Sequence, residues 1–181
     1  MTPEHLSSRR SRARVALVAT VVGGAMALGA CAPTPAPDPT PTPLFASEEE
    51  AFAAAEATYR AYIDAANRER AGDRTADPQA FLRGEALEAN IESRRKFKER
   101  GLTIKGDTEV KYVEGQDPPA HATDTVTIDV CVGVGESQVL DSSGTDVTPA
   151  DREPWSLLSV EMMVERNELV IVMSQLTDHT C

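Results

Sequence analysis

The apolar periodicity of this chain changes once, near Gly101, and the change limits the folds open to it. Before Gly101, Phe52, Ala55, Tyr59, Tyr62, Ile63 and Ala66 recur at three- and four-residue spacing and form one helical stripe. After it, the pattern alternates. In the run Thr125 to Val134, Val126, Ile128, Val130, Val132 and Val134 share one face, and Thr125, Thr127, Asp129 and Cys131 share the other. A strand with a single apolar face needs cover on that side alone. Helices first and antiparallel strands after make an α+β fold, with the helices on one face of the sheet. Aromatic residues are only 4% of the chain, so the core has to be built mainly from aliphatic side chains and alanine.

The element boundaries follow from local chemistry. Ser47-Glu48-Glu49-Glu50 has the form of a capping box, and the first helix should end near Gly72. Asp77-Pro78 opens the next helical segment, with Phe81, Leu82, Leu87, Ile91 and Phe97 as its buried face, Gly84 as a break and Gly101 as its end. One strand is expected over Thr103 to Val113, and a loop over Gly115 to His121 with Pro118-Pro119. The long strand at 125–134 follows, then a short one around Ser137 to Leu140 that runs into the turn Asp141 to Asp146. Trp155 to Glu165, the tight turn Arg166-Asn167 and Leu169 to Leu176 form a closing hairpin.

The first forty-three residues carry a different message. Arg9, Arg10, Arg12 and Arg14 precede an uncharged run from Val15 to Ala30, which is short for a membrane span and is interrupted by glycine. Basic lead and apolar run together read as an export signal over residues 1–30. The run ends Leu28-Gly29-Ala30-Cys31, which resembles the lipobox of bacterial lipoproteins. In that family the cysteine thiol is acylated and becomes the new N-terminus, so Cys31 is the expected lipidation site. The alternatives are an ordinary signal peptide with an incidental cysteine and a retained spanning helix. From Cys31 to Pro43, proline alternates with alanine, threonine and aspartate. Proline fixes its own φ and holds its predecessor extended. Such a segment makes a semi-rigid tether, rising about 3.1 Å per residue, with a single folded domain from 44 to 181.

Charge excludes one partner class. The chain has a net charge of -11, and its first thirty residues set four arginines against one glutamate, so the remainder stands at -14. A body this acidic repels nucleic acid and anionic headgroups, and no nucleic-acid partner is expected.

The order of parts is similar to that of small actinobacterial lipoproteins whose exported domain is nuclear-transport-factor-2-like (SnoaL-type). The resemblance rests on the lipobox with its Pro/Thr tether, the helix Glu49 to Tyr62, Phe81-Leu82-x-Gly84, the strand Val126 to Val134, Val139 to Gly144 and the terminal cysteine. It implies a cone-like fold in which helices pack into a strongly curved sheet. It implies no activity, because that fold hosts isomerases, dehydratases, ligand binders and assembly modules.

With Cys31 assigned to lipid, Cys131 and Cys181 remain, and in an exported domain they read as one disulfide, with two free thiols as the alternative. His121 and His179 have no partner at metal-ligand spacing, and no metal or cofactor is expected. The aspartates 141, 146 and 151 around Gly144 do not match a calcium loop and read as an acidic turn. No nucleophile, metalloprotease or phosphate-loop motif is present. By alternation Asp129 and Glu161 point away from the apolar face and should be solvated, as should Asp64. Tyr59 and Tyr62 lie on the buried stripe, either as core or as the lining of a pocket.

The leading expectation is therefore a lipid-anchored extracytoplasmic protein without catalytic residues, binding an envelope partner or a small ligand. Its rivals are an enzyme using the interior of the cone with Tyr59 or Tyr62 in it, and a structural component of an envelope assembly. An interior cavity of about 300 Å³ or more with tyrosine hydroxyls facing it would favour ligand binding or catalysis.

Overall fold

The computed structural model describes residues 44–116 and 124–181. Its elements are helix α1 (Glu48–Arg70), a 3-10 turn (Pro78–Phe81), helix α2 (Gly84–Glu99), and strands β1 (Thr103–Lys105), β2 (Glu109–Gly115), β3 (Thr125–Gly133), β4 (Gln138–Leu140), β5 (Trp155–Glu165) and β6 (Glu168–Leu176). The fold is α+β with antiparallel strand pairing. Among the described residues, no helix is long and apolar enough to cross a membrane.

α1 starts where its capping box predicts. Ser47 Oγ accepts from the Glu50 amide at 3.2 Å, and Glu50 Oε2 accepts from the Ala46 amide at 2.9 Å. These bonds satisfy donors that a helix start otherwise leaves open. Gly72 and Gly101 follow the two helix ends with φ of +96° and +64°, a conformation that favours glycine.

The second helical segment is not continuous. Asp77 Oδ1 caps Pro78–Phe81 through the Gln79 amide, and the chain then extends at Leu82 to dock on the sheet. Leu82 bridges Ile171, and the Arg83 amide donates to the Ile171 carbonyl at 2.9 Å. α2 restarts at Gly84. Ile91, expected on its buried face, is instead 51% exposed, while Leu82 is 2% exposed and Leu87 packs on the core. Leu87 and Ile91 lie on one face of the same helix, so the difference is one of cover: α2 meets the core at Ala86 and Leu87, and from Ile91 to Arg100 every residue but Phe97 is exposed.

The single strand expected over 103–113 is two. Gly106, at φ +85°, turns the chain between β1, which pairs with β4 in a separate two-stranded ribbon, and β2, the edge of the main sheet. A Cβ at Gly106 would lie 2.6 Å from the Glu136 carbonyl oxygen. Gly106→Ala should therefore destabilise the domain by about 1–3 kcal/mol, read from chemical denaturation. An unchanged midpoint would mean that the turn relaxes freely.

The main sheet runs β2-β3-β5-β6. In β3–β5 the register sets Ile128 opposite Val160 and Val126 opposite Met162. These side chains form the core with Ala55 and Tyr59 of α1, Ala86 of α2, and Leu82, Leu169 and Ile171. Register shifts at Val110/Tyr112 and at Glu161/Met162 place one extra residue in β2 and one in β6. Such bulges bend and twist a sheet locally. Gly133 faces Trp155 and leaves room for its ring. The turn Arg166-Asn167 joins β5 to β6 with φ of 52° and 69°, the two positive values that a tight hairpin turn requires.

Candidate functional site

α1 positions the two tyrosines. Three residues apart, they share one helix face, and their rings meet edge to face with centroids 5.8 Å apart. The Tyr62 ring meets Phe81 in the same way at 6.4 Å. Tyr59 is 2% exposed and Tyr62 is half-buried.

Between the helices and the sheet lies a half-open pocket of about 250 Å³, lined by Tyr59, Tyr62, Leu82, Asn90, Thr108, Val132, Leu158 and Ser174 among others. It falls short of the 300 Å³ mark but carries both tyrosines. Its polar lining consists of hydroxyls and one amide, without a carboxylate, imidazole or amine. Burial, and after it the neighbouring Tyr62, pushes the Tyr59 hydroxyl above the ordinary phenol range. Burial raises Tyr62 as well, against the lowering effects of Arg94, Arg70 and the Asn90 side chain. Both hydroxyls are therefore protonated at neutral pH and act there as hydrogen-bond donors rather than bases.

Desolvation and Tyr62 account for the shift of the Tyr59 hydroxyl, with no hydrogen bond among the causes. Tyr59→Phe is thus expected to leave unfolding free energy within about 1 kcal/mol of the parent. A loss above about 2 kcal/mol in a denaturant titration would reveal a hydrogen bond that holds the fold together.

Tyr62 and Asn90 also line a second space, a groove of about 680 Å³ between the C-terminal halves of α1 and α2 and strand β1. Its polar residues include Glu69, Arg70, Ser93, Arg94 and Lys98, and its apolar ones Ala66, Phe97, Leu102 and Ile104. Arg94 Nη1 donates to Glu69 Oε1 at 2.8 Å, Nη2 to Glu69 Oε2, and Nε to Asn90 Oδ1 at 2.9 Å. The sequence carried a faint sign of this groove. Arg70 stands four residues after Ala66, at the next position of the apolar stripe, where a helix facing a core ordinarily places another apolar residue. A third concavity, about 810 Å³, lies between the first half of α1 and the β5–β6 turn, with the Arg83–Glu165 ion pair (2.7 Å) at its edge.

The remaining candidate residues are dispersed. Asp129 and Glu161 lie on the outer sheet face, half-buried rather than fully solvated; Asp129 Oδ1 accepts from Gln116 Nε2 at 2.5 Å. Asp64 and His179 are exposed, and His121 falls outside the described residues. Asp141 serves its own turn, its carboxylate accepting from Ser143 Oγ at 2.7 Å and from the Thr145 amide at 2.9 Å. These bonds, the Ser143 hydroxyl foremost, hold its pKa below the usual carboxylate range. Among the described residues, no three His, Cys, Asp or Glu side chains converge as a metal set.

Cys131 and Cys181 are joined as a disulfide on the outer face of the sheet, with their Cα atoms 5.9 Å apart. Lys111 Nζ donates to the Cys181 carbonyl at 3.3 Å and lies 4.9 Å from the centre of the Trp155 ring. Cys31 and the proline-rich segment fall outside the described residues.

No family model and no curated protein matches the chain. Among solved structures, the intermembrane space region of the chloroplast protein ARC6 is similar at 11% identity and a TM-score of 0.49, over 69% of this chain and 95% of that one. A Xanthomonas campestris protein described as a polyketide cyclase is similar at 14% identity and a TM-score of 0.35, over 70% and 93%. A designed β-sheet protein is similar at 18% identity and a TM-score of 0.30, over 74% and 88%. At these scores the likenesses carry no inference about family or activity.

Proposed function

We propose that this chain is an exported protein, lipidated on Cys31 and held at the extracytoplasmic face of the cell membrane, whose domain binds a small ligand or an envelope partner without catalysing a reaction. The domain is read as nuclear-transport-factor-2-like, its helices closing over the concave face of a curved sheet. The anchor and tether are supported by the basic lead, the apolar run, Leu28-Gly29-Ala30-Cys31 and the alternating prolines.

The observation that carries the binding reading is the lining of the half-open pocket between the helices and the sheet. Two neutral tyrosine hydroxyls, an amide and short hydroxyl side chains orient a ligand by hydrogen bonds. A general acid or base needs a pKa near the working pH, and the raised tyrosines do not supply one. The alternative is an enzyme of the same cavity that uses Tyr59 as a hydrogen-bond donor to a developing oxyanion; a desolvated, neutral hydroxyl in the lining favours it.

Two measurements test the proposal. Metabolic labelling with an azide-bearing palmitate should mark the parent chain, and Cys31→Ala should remain unlabelled and unprocessed; equal labelling of the two defeats the anchor. For the cavity, Tyr59→Phe should weaken ligand binding about tenfold with stability retained. Turnover of a bound compound that is lost in the same variant would favour the enzyme instead.

A further inference from the structure

We propose that the groove between the C-terminal turns of α1 and α2 binds an amphipathic organic anion, with Arg70 and Lys98 on its acidic head and Phe97, Leu102 and Ile104 beneath its apolar part. This rests on the ligand-binding reading above and adds a ligand class and a second surface to it.

The groove is a cationic spot on an acidic chain. In a chain with a net charge of -11, the groove gathers Arg70, Arg94 and Lys98 against a single lining carboxylate, Glu69. That carboxylate is already gripped by Arg94 through both of its oxygens. Arg70 Nη2 donates to Thr108 Oγ1 at 2.9 Å and to Asn67 Oδ1, both neutral acceptors. Among the described residues, neither Arg70 nor Lys98 has a carboxylate within ion-pair distance. Asp107 acts on Arg70 through space only.

Arg70 also stands in an unusual place. Cations in the last turn of a helix are ordinarily explained by the helix dipole. Arg68 and Lys96 fit that account: each keeps half or more of its side chain in water and pairs with a nearby acid. Arg70 does not. It follows the apolar stripe inward, and its Nε is buried with no acceptor among the described residues. Withdrawing a guanidinium from water without a full set of acceptors is unfavourable, and the helix dipole does not account for it.

The size of the groove fits the same ligand class. A groove of about 680 Å³ lies in the range that holds a small organic molecule. An inorganic ion would leave its apolar floor wet. A neutral apolar molecule would leave Arg70 and Lys98 without a counter-charge. An aromatic or short aliphatic molecule ending in a carboxylate, sulfonate or phosphate answers both.

The test is calorimetric titration of the full chain in non-ionic micelles with naphthalene-2-sulfonate and with its neutral isostere, naphthalene-2-sulfonamide. The sulfonate should bind at least about tenfold more tightly at low ionic strength, and added salt should weaken it alone. Lys98→Glu, at an exposed position away from the core, should abolish the preference while the circular dichroism spectrum is unchanged. Equal affinities for the two compounds, or a preference that survives Lys98→Glu, overturns the anion site and leaves the small-ligand reading standing. Absence of binding by either compound also overturns the anion site, whereas the small-ligand reading falls separately, on the Tyr59→Phe test of the other pocket.

Discussion

Cys131→Ser should lower the stability of the domain by about 4 kcal/mol, and the thermal midpoint by roughly 10–20 °C. The disulfide spans a sequence separation of 50, and in the chain-entropy account a cross-link of that length removes this much freedom from the unfolded state. The folded state adds a local reason. Cys131 is 0% exposed, in a strand with neighbours on both sides, and it holds the chain terminus against the outer face of the sheet. Cys181→Ser separates the two contributions, because it opens the same cross-link without placing a hydroxyl at the buried strand position. Matching losses in the two variants assign the effect to the cross-link, and an excess in Cys131→Ser assigns the remainder to burial. Thermal denaturation with and without reductant measures both. If parent and variants melt within about 3 °C of one another, the cross-link contributes little to stability.

Ile128→Ala should cost about 3–4 kcal/mol. Ile128 is 0% exposed in a central strand, opposite Val160 on one side and Gly115 on the other. The Phe52 ring of α1 lies over Gly115, the cross-strand neighbour of Ile128, where a Cβ would meet it at 2.5 Å. The control is Met163→Ala on the outer face of the same sheet, where the side chain is 43% exposed. That change should stay within about 0.5 kcal/mol. Urea unfolding measures the pair. Similar costs at the two positions would contradict the one-sided burial from which the fold is argued.

The half-open pocket and the cationic groove differ in how visible they are before folding. Tyr59 and Tyr62 announce themselves because a helix returns every third and fourth residue to one face, and that relation is local. Arg70 stands at the next stripe position, but its meaning depends on Thr108, which is distant in sequence. Arg94 and Glu69 meet across two helices, and no spacing rule predicts an ion pair formed that way. Asp129 and Glu161 were correctly separated from the interior by alternation alone, although neighbouring side chains leave them half-buried rather than fully solvated.

What the sequence alone determined are the features set by near neighbours: the capped start of α1, the ends at Gly72 and Gly101, the two faces of β3 and the Arg166-Asn167 turn. Each depends on one backbone conformation or one side-chain period, and these are properties of a few consecutive residues. Tertiary structure alone decided the break at Gly106, which sends β1 to β4 instead of extending β2. It also decided the exposure of Ile91, because the core covers α2 at Ala86 and Leu87 and not one turn further on. The groove belongs to the same class. Its cations come from the ends of two helices whose spacing is set by packing on a shared sheet, and packing is a sum over contacts between residues far apart in the chain.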